Sequence, residues 1–495
     1  MVVTRLKNSF VFGSDLAGSF YNIDHRAVNF AVMAQQYTVQ VVDESHIAPP
    51  PGSVPPTVIP LTFLDVSWLF CCPIERILFY ELPFPTRHLM QNIIPHLKHS
   101  LSLTLHHFFP LAGNLACNSK PFIQFNEGDS VRVTVAESDA DFGHLVGNHP
   151  RDNRAFKPLL PKLPFPFPSV SSDNKTPVMA IQVTVFPNSG ISIGVTFIHV
   201  AADGSSFNHF MKSWASIHKS VTVSESLPPL SLPCHDRNVI KDPNGLLLSI
   251  YLKDWRSVHN SDAPAPAIDE NVQVDNVRVT LVLSRDQIDK LKQRVSAQIR
   301  SDGESPSRVS TFVVTSALMW VYMIELQESE SEITDGDMIY HFVPVADCRE
   351  RFEFPIPASY FGNCLAFLFI SAKRSELMGK EGVVFAAKAI GRKIGELEKG
   401  ALVGAEKWTS NLNEVVKTGR VLAVGGSPKF GVYETDFGWG RPKKFELVHF
   451  GAYGSFSLAE SRDEEGAIEI GLVIGRDKLD LFNVVFQRRL NFNSL

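Results

Sequence analysis

The most regular alternation of apolar and polar positions in the chain lies at residues 191–197, where apolar residues occupy the odd positions from Ile191 to Phe197. A period of two with β-branched residues is typical of a strand that buries one face. Residues 179–186 form a similar run, and the Pro-Asn-Ser-Gly sequence at 187–190 between the two runs is typical of a tight turn. The pattern therefore predicts an antiparallel hairpin.

Patterns elsewhere predict a mixture of strands and helices in both halves of the chain. The predicted strands are 37–42, 77–82, 121–136, 277–284, 338–345, 445–457 and 467–474. The predicted helices are 86–105, 206–219, 285–299, 311–327, 386–398 and 478–487. This arrangement predicts an α/β fold with mixed sheets.

The regular patterns are interrupted twice, and these interruptions suggest the domain boundaries. Residues 1–32 resemble neither a signal peptide nor the rest of the chain, so we expect a poorly ordered extension. Residues 227–272 are rich in proline and predict a crossover loop. The predicted domains are an N-terminal domain at 33–226 and a C-terminal domain at 273–495.

Composition narrows the class of protein. The 495 residues are 44% hydrophobic and 20% charged, with a net charge of −5, so the basic footprint of a nucleic-acid-binding protein is absent. No apolar run reaches the roughly 18–20 residues that span a bilayer. The six cysteines form no C-x-x-C pair, which favours reduced thiols in a cytoplasmic protein over a metal site. We expect no bound metal or cofactor, no membrane or nucleic-acid partner, and a monomer.

His199 is the main candidate for chemistry because it follows the predicted buried strand at 191–197, with Asp203 four residues later. A spacing of four arises by chance about once in such a chain, so a core histidine beside a helix-capping aspartate explains it equally well. The chain contains no P-loop, G-x-S-x-G elbow or H-E-x-x-H motif. A histidine without a serine or cysteine nucleophile favours direct proton transfer over a covalent intermediate.

Three motifs in fixed order give the chain a family resemblance. They are HVAAD at 199–203, YFGNC at 360–364 and DFGWG at 436–440. Together they resemble the plant acyl-CoA-dependent acyltransferases of the BAHD family, in the anthocyanin and flavonoid branch that includes phenolic glucoside malonyltransferases. The resemblance covers essentially all of 33–495 and includes the segments LTFLDVSWLF (61–70), ILFYELPFP (77–85), PLAGNLAC (110–117), DRNVIKDPNG (236–245), STFVVTSALMW (310–320) and GSPKF (426–430).

The resemblance implies a two-domain chloramphenicol-acetyltransferase-like fold with a solvent channel between the domains. His199 would be the general base that moves an acyl group from acyl-CoA to a hydroxyl of a phenolic glucoside. Asp203 would shape the loop by pairing with an arginine, for which Arg349 is the candidate. Asp436 is either a second proton carrier or part of a structural ion pair, in a tight turn formed with Gly438, Trp439 and Gly440.

Contacts to the acyl-CoA co-substrate follow from the same resemblance. Backbone N–H groups at Ser310 and Thr311 would meet phosphate or pantetheine, although Ser310 also suits an ordinary helix cap. Ser427 and Lys429 would likewise bind the phosphate or pantetheine part of acyl-CoA. Arg76 would bind the free carboxylate of a malonyl donor, unless it is a surface arginine paired with Glu75 or another carboxylate.

Two alternatives to the malonyl-transfer function stay open. A hydroxycinnamoyl-CoA donor would keep the chemistry and change the donor pocket. A non-catalytic small-molecule binder on the same scaffold would lack turnover, and a thiol-release assay with acyl-CoA separates it from an enzyme.

Overall fold

The computed structural model describes residues 37–69, 71–117, 120–164, 175–222, 231–259, 275–303, 309–328, 335–450 and 454–490. The extension predicted at 1–32 lies outside these residues. The strands are β1 Val39–Ile47, β2 Thr57–Pro60, β3 Ile74–Glu81, β4 Asn114–Ala116, β5 Phe122–Phe125, β6 Val131–Ser138, β7 Arg151–Asp152, β8 Lys175–Pro177, β9 Met179–Phe186, β10 Gly190–Phe197, β11 Asn276–Leu283, β12 Ile339–Val343, β13 Val345–Asp347, β14 Leu365–Phe367, β15 Ile370–Lys373, β16 Val421–Gly426, β17 Lys444–Leu447, β18 Ser455–Glu460 and β19 Ile468–Gly475.

The α-helices connect these strands in both halves of the chain. They are α1 Phe63–Val66, α2 Thr86–His88, α3 Ile94–His107, α4 Phe142–Leu145, α5 Gly204–Thr222, α6 Leu246–His259, α7 Arg285–Ser301, α8 Thr311–Glu328, α9 Arg374–Leu377, α10 Gly382–Glu396, α11 Trp408–Lys417 and α12 Leu479–Leu490. A π-helical turn, Leu89–Ile93, joins α2 to α3, so the helix predicted at 86–105 is confirmed as one helical run.

The chain divides into two compact units that do not follow the sequence in one piece. The first unit contains the described residues of Met1–Gln273 together with Ser359–Asn363 and Gly431–His449. The second contains those of Val274–Ala358, Cys364–Phe430 and Phe450–Leu495. Two short segments of the C-terminal half therefore complete the first unit.

The first unit is built on a sheet with strand order β1-β6-β9-β10-β3-β17. The predicted hairpin is confirmed, since β9 and β10 pair antiparallel with Met179 opposite Phe197, whereas β6 and β9 pair parallel. Both hairpin strands are buried along their whole length. A second sheet of the same unit has the order β2-β5-β4-β8.

The second unit has strands in the order β15-β12-β16-β18-β19-β11, again with parallel and antiparallel pairs. Helix α8 is apolar around its circumference and lies in the core of this unit, with Trp320 and Tyr322 almost fully buried. A helix that is hydrophobic on all sides is expected at such a central position. The predicted mixed α/β class is confirmed in both units.

One segment differs from the sequence-based expectation. The stretch predicted as a crossover loop at 227–272 contains the 14-residue helix α6. Tyr251, Leu252 and Trp255 are buried, at i, i+1 and i+4, so α6 does have an amphipathic pattern. The flanking prolines obscured it because they mark the loops on either side of the helix. No helix among the described residues has the length and apolarity needed to cross a membrane.

Candidate active site

His199 lies two residues after β10, at the start of a single 3₁₀ turn formed by His199–Ala201. The rigid hairpin fixes the backbone at this point. The imidazole stacks on the indole of Trp68, with 3.8 Å between ring centroids and 6° between ring planes. Trp68 comes from the segment after α1, so two distant parts of the first unit hold the ring.

Asn363 fixes the protonation pattern of this imidazole. Its Oδ1 lies 3.1 Å from His199 Nδ1, while its Nδ2 donates to the carbonyl oxygens of His199 and Val200 at 3.0 and 3.2 Å and to Asp65 Oδ1 at 3.0 Å. These three acceptors assign Nδ2 and Oδ1 without ambiguity. Because Oδ1 can only accept, Nδ1 must carry the proton, and the lone pair lies on Nε2.

Burial lowers the pKa of His199 to about 4, while the nearby Asp203 opposes the shift and Arg76 adds to it. A buried imidazole loses the hydration that would stabilise its charged form. His199 is therefore neutral at pH 7, with a basic nitrogen at Nε2. This state is the one required to accept a proton.

Asp203 caps helix α5 and is 1% exposed. Its Oδ1 accepts a hydrogen bond from the Ser206 N–H at 2.9 Å, and its main-chain carbonyl accepts one from Phe207 at 2.9 Å. Burial lowers the pKa of Arg76 and the charge of Asp203 opposes that shift, while for Arg237, whose pKa is raised, Asp203 adds to the larger effect of Asp65. This carboxylate therefore acts as a helix cap and a counter-charge. The predicted partner, Arg349, belongs to the second unit, so that pairing stays a prediction.

Arg76 lies on β3, opposite Val195 of β10, and is buried, with 6% of its surface exposed. Its guanidinium lies 4.8 Å from the ring centroid of Phe207, and burial lowers its pKa to about 10. Glu75 instead pairs with Lys157 at 2.6 Å. Arg76 is therefore neither a surface residue nor paired with Glu75, whereas another carboxylate, Asp203, is close enough to act on it.

Asp436 organises the DFGWG turn. Its Oδ1 accepts hydrogen bonds from the N–H groups of Gly438 and Gly440, both at 2.8 Å, and its Oδ2 lies 3.3 Å from Lys219 Nζ. Both glycines have positive φ, +95° and +89°, a conformation that suits glycine. The backbone and lysine contacts hold the pKa of Asp436 below its usual value despite partial burial. The charge partner is Lys219 of α5.

Trp439, the fourth residue of the same motif, packs into an aromatic cluster. Its ring contacts Tyr80 edge to face at 5.5 Å and lies 4.9 Å from His218. Phe437 stacks beside it at 5.2 Å. The motif is therefore a packed corner of the first unit, as its composition suggested.

The other predicted acyl-CoA-binding residues lie in the second unit. Ser310 caps α8, since its Oγ accepts from the Val313 N–H at 3.3 Å, and Thr311 is the first residue of that helix. Ser427 Oγ accepts from the Lys429 N–H at 3.2 Å in a turn. Arg349 Nη1 lies 3.0 Å from Asp347 Oδ2. The role of Ser310, Thr311, Ser427 and Lys429 in binding acyl-CoA stays a prediction, whereas Arg349 was predicted only as the partner of Asp203.

Sequence reasoning missed the residues that contact His199 and those packed behind them. Asn363, Asp65, Trp68, Arg237 and Tyr360 were not singled out individually, although all five lie within segments that carry the family resemblance. These segments were therefore the available signal. Nothing in their spacing revealed that residues 65, 199, 237 and 363 meet in the folded chain.

Known proteins resemble this chain over most of its length. The model of a family described as the Transferase family matches residues 38–488. A coumaroyl-CoA:anthocyanidin 3-O-glucoside-6''-O-coumaroyltransferase of Arabidopsis thaliana is 40% identical, with 92% of this chain and 98% of the relative aligned. A phenolic glucoside malonyltransferase of Nicotiana tabacum is 39% identical, with 82% and 89% aligned.

Among solved structures, vinorine synthase is similar with a TM-score of 0.66 at 22% identity, covering 90% of this chain and 96% of that one. Identity at this level establishes a shared fold and nothing finer. The two-domain chloramphenicol-acetyltransferase-like architecture expected from the sequence is confirmed.

Proposed function

Because the chain belongs to the BAHD family of acyl-CoA-dependent acyltransferases, we propose that it transfers an acyl group from acyl-CoA to a hydroxyl of an anthocyanin or other phenolic glucoside, with His199 as general base. The observation that supports this most directly is the hydrogen bond between His199 Nδ1 and Asn363 Oδ1. It leaves the lone pair of Nε2 as the proton acceptor.

The proposed reaction is a direct transfer. Nε2 of His199 takes the proton of the acceptor hydroxyl while the oxygen attacks the thioester carbonyl carbon. The tetrahedral intermediate then expels the CoA thiolate, and the imidazolium returns its proton to the sulfur. An imidazole with a pKa of about 4 gives up that proton readily, because a thiol has a pKa near 8.5. General-base catalysis of this kind contributes roughly 10²- to 10⁴-fold.

We propose malonyl-CoA as the donor. In support, the tobacco relative is by its name a malonyltransferase, and the positive charge of Arg76 lies near His199 and lowers its pKa. A malonyl carboxylate in an apolar site needs such a cation. Among the described residues, Nε of Arg76 has no hydrogen-bond partner.

A coumaroyl donor is the second candidate, and the observation that favours it is the 40% identity to the Arabidopsis coumaroyltransferase. That donor carries an aromatic ring and no carboxylate. It would leave the burial of Arg76 and its proximity to Asp203 as a purely structural arrangement.

The test of the reaction is CoA-thiol release with malonyl-, acetyl- and coumaroyl-CoA and a phenolic glucoside, with the product identified by mass spectrometry. His199→Ala should lower kcat by two or more orders of magnitude and keep acyl-CoA binding measurable by calorimetry. His88→Ala removes an exposed histidine of the same unit and is the matched control. Near-normal turnover of folded His199→Ala, or binding without thiol release by the wild type, would contradict the proposal.

The test of the donor is Arg76→Lys, which keeps the charge and loses the two-pronged geometry of the guanidinium. If Arg76 binds the malonyl carboxylate, KM for malonyl-CoA rises at least several-fold more than KM for acetyl-CoA. Equal effects on both donors, or a wild-type preference for coumaroyl-CoA, would defeat the malonyl assignment and leave the acyltransferase assignment intact.

We also propose that the enzyme is a cytoplasmic monomer whose two domains are built mainly from 33–226 and 273–495, with Ser359–Asn363 and Gly431–His449 of the second range joining the first unit. Burial raises the pKa of the Cys348 thiol to about 12, which fits a cysteine that stays reduced. Size-exclusion chromatography with light scattering tests the monomer, and limited proteolysis tests the boundaries.

A further inference from the structure

A fully buried carboxylate, that of Asp65, is hydrogen-bonded to Asn363, which in turn contacts His199. Asp65 is 0% exposed, and its Oδ1 accepts hydrogen bonds from both the main-chain N–H and the side-chain Nδ2 of Asn363, at 3.1 and 3.0 Å. The residue that orients His199 is thus held at two points by one oxygen atom. A carboxylate is the strongest neutral-pH acceptor that a protein offers to an amide.

The other oxygen of Asp65 also accepts two hydrogen bonds. Its Oδ2 accepts from the N–H and Oγ1 of Thr62, at 2.9 and 2.8 Å, in the capping box of α1. The position of the carboxylate is therefore set by the helix start. This leaves little freedom for Asp65 to rotate away from Asn363.

Arg237 supplies the counter-charge. Its Nε lies 3.7 Å from Asp65 Oδ2, and the side chains of both residues are at most 5% exposed. Its Nη1 donates to the hydroxyl of Tyr360 at 3.0 Å and to the carbonyl of Phe361. Since an uncompensated buried charge is costly, the guanidinium is a suitable partner for a carboxylate in the interior.

An asparagine amide has nearly the same shape in both flipped orientations, so its surroundings decide which end faces His199. Oδ1 of Asp65 accepts from the side-chain Nδ2 of Asn363, so it holds Nδ2 on its own side and leaves Oδ1 of Asn363 facing the imidazole. The carbonyl oxygens of His199 and Val200 act in the same direction, but Asp65 is the charged member of the three acceptors.

We propose that Asp65 is a positioning residue, and that the series Asp65–Asn363–His199 keeps His199 in the Nδ1–H tautomer with the lone pair on Nε2. Its effect on turnover rests on the acyl transfer proposed above, whereas its effect on the tautomer does not. Loss of the outer partner of a metal-binding histidine lowers activity by about 10–100-fold, and we expect a loss of the same order for a histidine held by Asn363.

The main variant is Asp65→Asn in the full chain. An asparagine at this place must turn an NH₂ group either towards the Asn363 N–H or towards Thr62 and Arg237, so one donor faces another. We expect kcat to fall about 10–100-fold, with KM for both substrates changing less than about threefold, because binding groups are untouched.

The matched control is Glu446→Gln, which weakens another buried ion pair of the same unit. Glu446 Oε1 lies 2.7 Å from Arg151 Nη1, with side chains 3% and 0% exposed. This variant should lose comparable stability and keep its kcat. If both variants lose kcat in parallel with stability, Asp65 has only a structural role and the proposal fails.

The tautomer is read directly by long-range ¹H–¹⁵N correlation spectra of protein labelled in histidine, with His199 assigned by its absence in His199→Gln. The wild type should show a protonated Nδ1, and Asp65→Asn should show a mixture of tautomers. A protonated Nε2 in the neutral wild type, or an unchanged tautomer in Asp65→Asn, would overturn the proposal.

A milder variant decides the matter if Asp65→Asn does not fold. Thr62→Val removes the Oγ1 hydrogen bond to Asp65 Oδ2 and should shift the tautomer in the same direction, with kcat lower by about threefold or more. No change in either quantity would refute the proposal. If the wild type transfers no acyl group at all, the proposed function fails, and the spectra still decide the role of Asp65.

Discussion

Lowering the pH from 7 to 5 should destabilise the first unit through His199. Burial holds the pKa of His199 at about 4 in the folded chain, against about 6.5 in an unfolded one. As the pH falls below 6.5, the unfolded chain takes up this proton and the folded chain does not. The stabilising contribution is thus complete above pH 6.5 and is lost as the pH falls towards 4.

The size of the effect follows from the two pKa values. Between pH 7 and pH 5, proton linkage removes about 2 kcal/mol from the free energy of unfolding. The imidazole keeps partial exposure, and solvent screening reduces the cost of charging it. We therefore expect a loss of about 1–2 kcal/mol from this one residue.

The assay is urea unfolding of the wild type and of His199→Gln at pH 7 and pH 5. Other buried histidines with lowered pKa, His218, His235 and His449, titrate in both proteins, so their contributions cancel in the comparison. The wild type should lose about 1–2 kcal/mol more than the variant. Parallel losses would show that His199 titrates with an ordinary pKa and would refute the reasoning.

Three further substitutions test the framework around the site. Gly362→Ala should lower the free energy of unfolding by about 1–3 kcal/mol in urea titrations, because a Cβ at this position would lie 2.7 Å from Cζ of Arg237. Gly143→Ala is its control, since a Cβ there meets only a side-chain oxygen of Asp141 at 3.3 Å, and similar losses in both would contradict the steric argument. Asp436→Asn should cost about 1–2 kcal/mol, by removing the charged acceptor of the Gly438 and Gly440 N–H groups, with kcat unchanged. Normal stability combined with the loss of an ionisation from its pH–rate profile would instead make Asp436 a proton carrier. Asp203→Ala should cost about 3–5 kcal/mol in thermal or urea unfolding, because it removes the cap of α5 and a counter-charge of buried Arg76. A cost below about 1 kcal/mol would show that Arg76 is neutralised by other groups.

Local patterns were enough to predict most of the fold. The hairpin of β9 and β10 was predictable because apolar and polar positions alternate along the chain there and a turn sequence separates the two runs. Helix α8 was predictable because its apolar run is too long for a strand. Helix α6 was not predicted, because the prolines on both sides indicated a loop and the amphipathic pattern between them is short.

The site was predictable only in part, for a different reason. His199 could be found because it follows a buried strand directly, but its partner Asn363 is 164 residues away in sequence. Asp436 could be recognised within its motif, whereas its charge partner Lys219 is 217 residues distant. The burial of Arg76 also depends on tertiary packing, which no local pattern records.

The first unit is completed by segments from the C-terminal half of the chain, and this has a consequence for synthesis on the ribosome. Asn363 is translated 164 residues after His199, which takes roughly 8–33 s at about 5–20 residues per second. During that interval His199 has left the peptidyl-transferase centre, but the Asn363 amide that orients it has not been made. Strand β3 likewise lacks its neighbour β17. A chain that terminates before residue 363 would contain the reactive imidazole and still lack its orienting group, so premature termination products should be inactive even where they escape degradation.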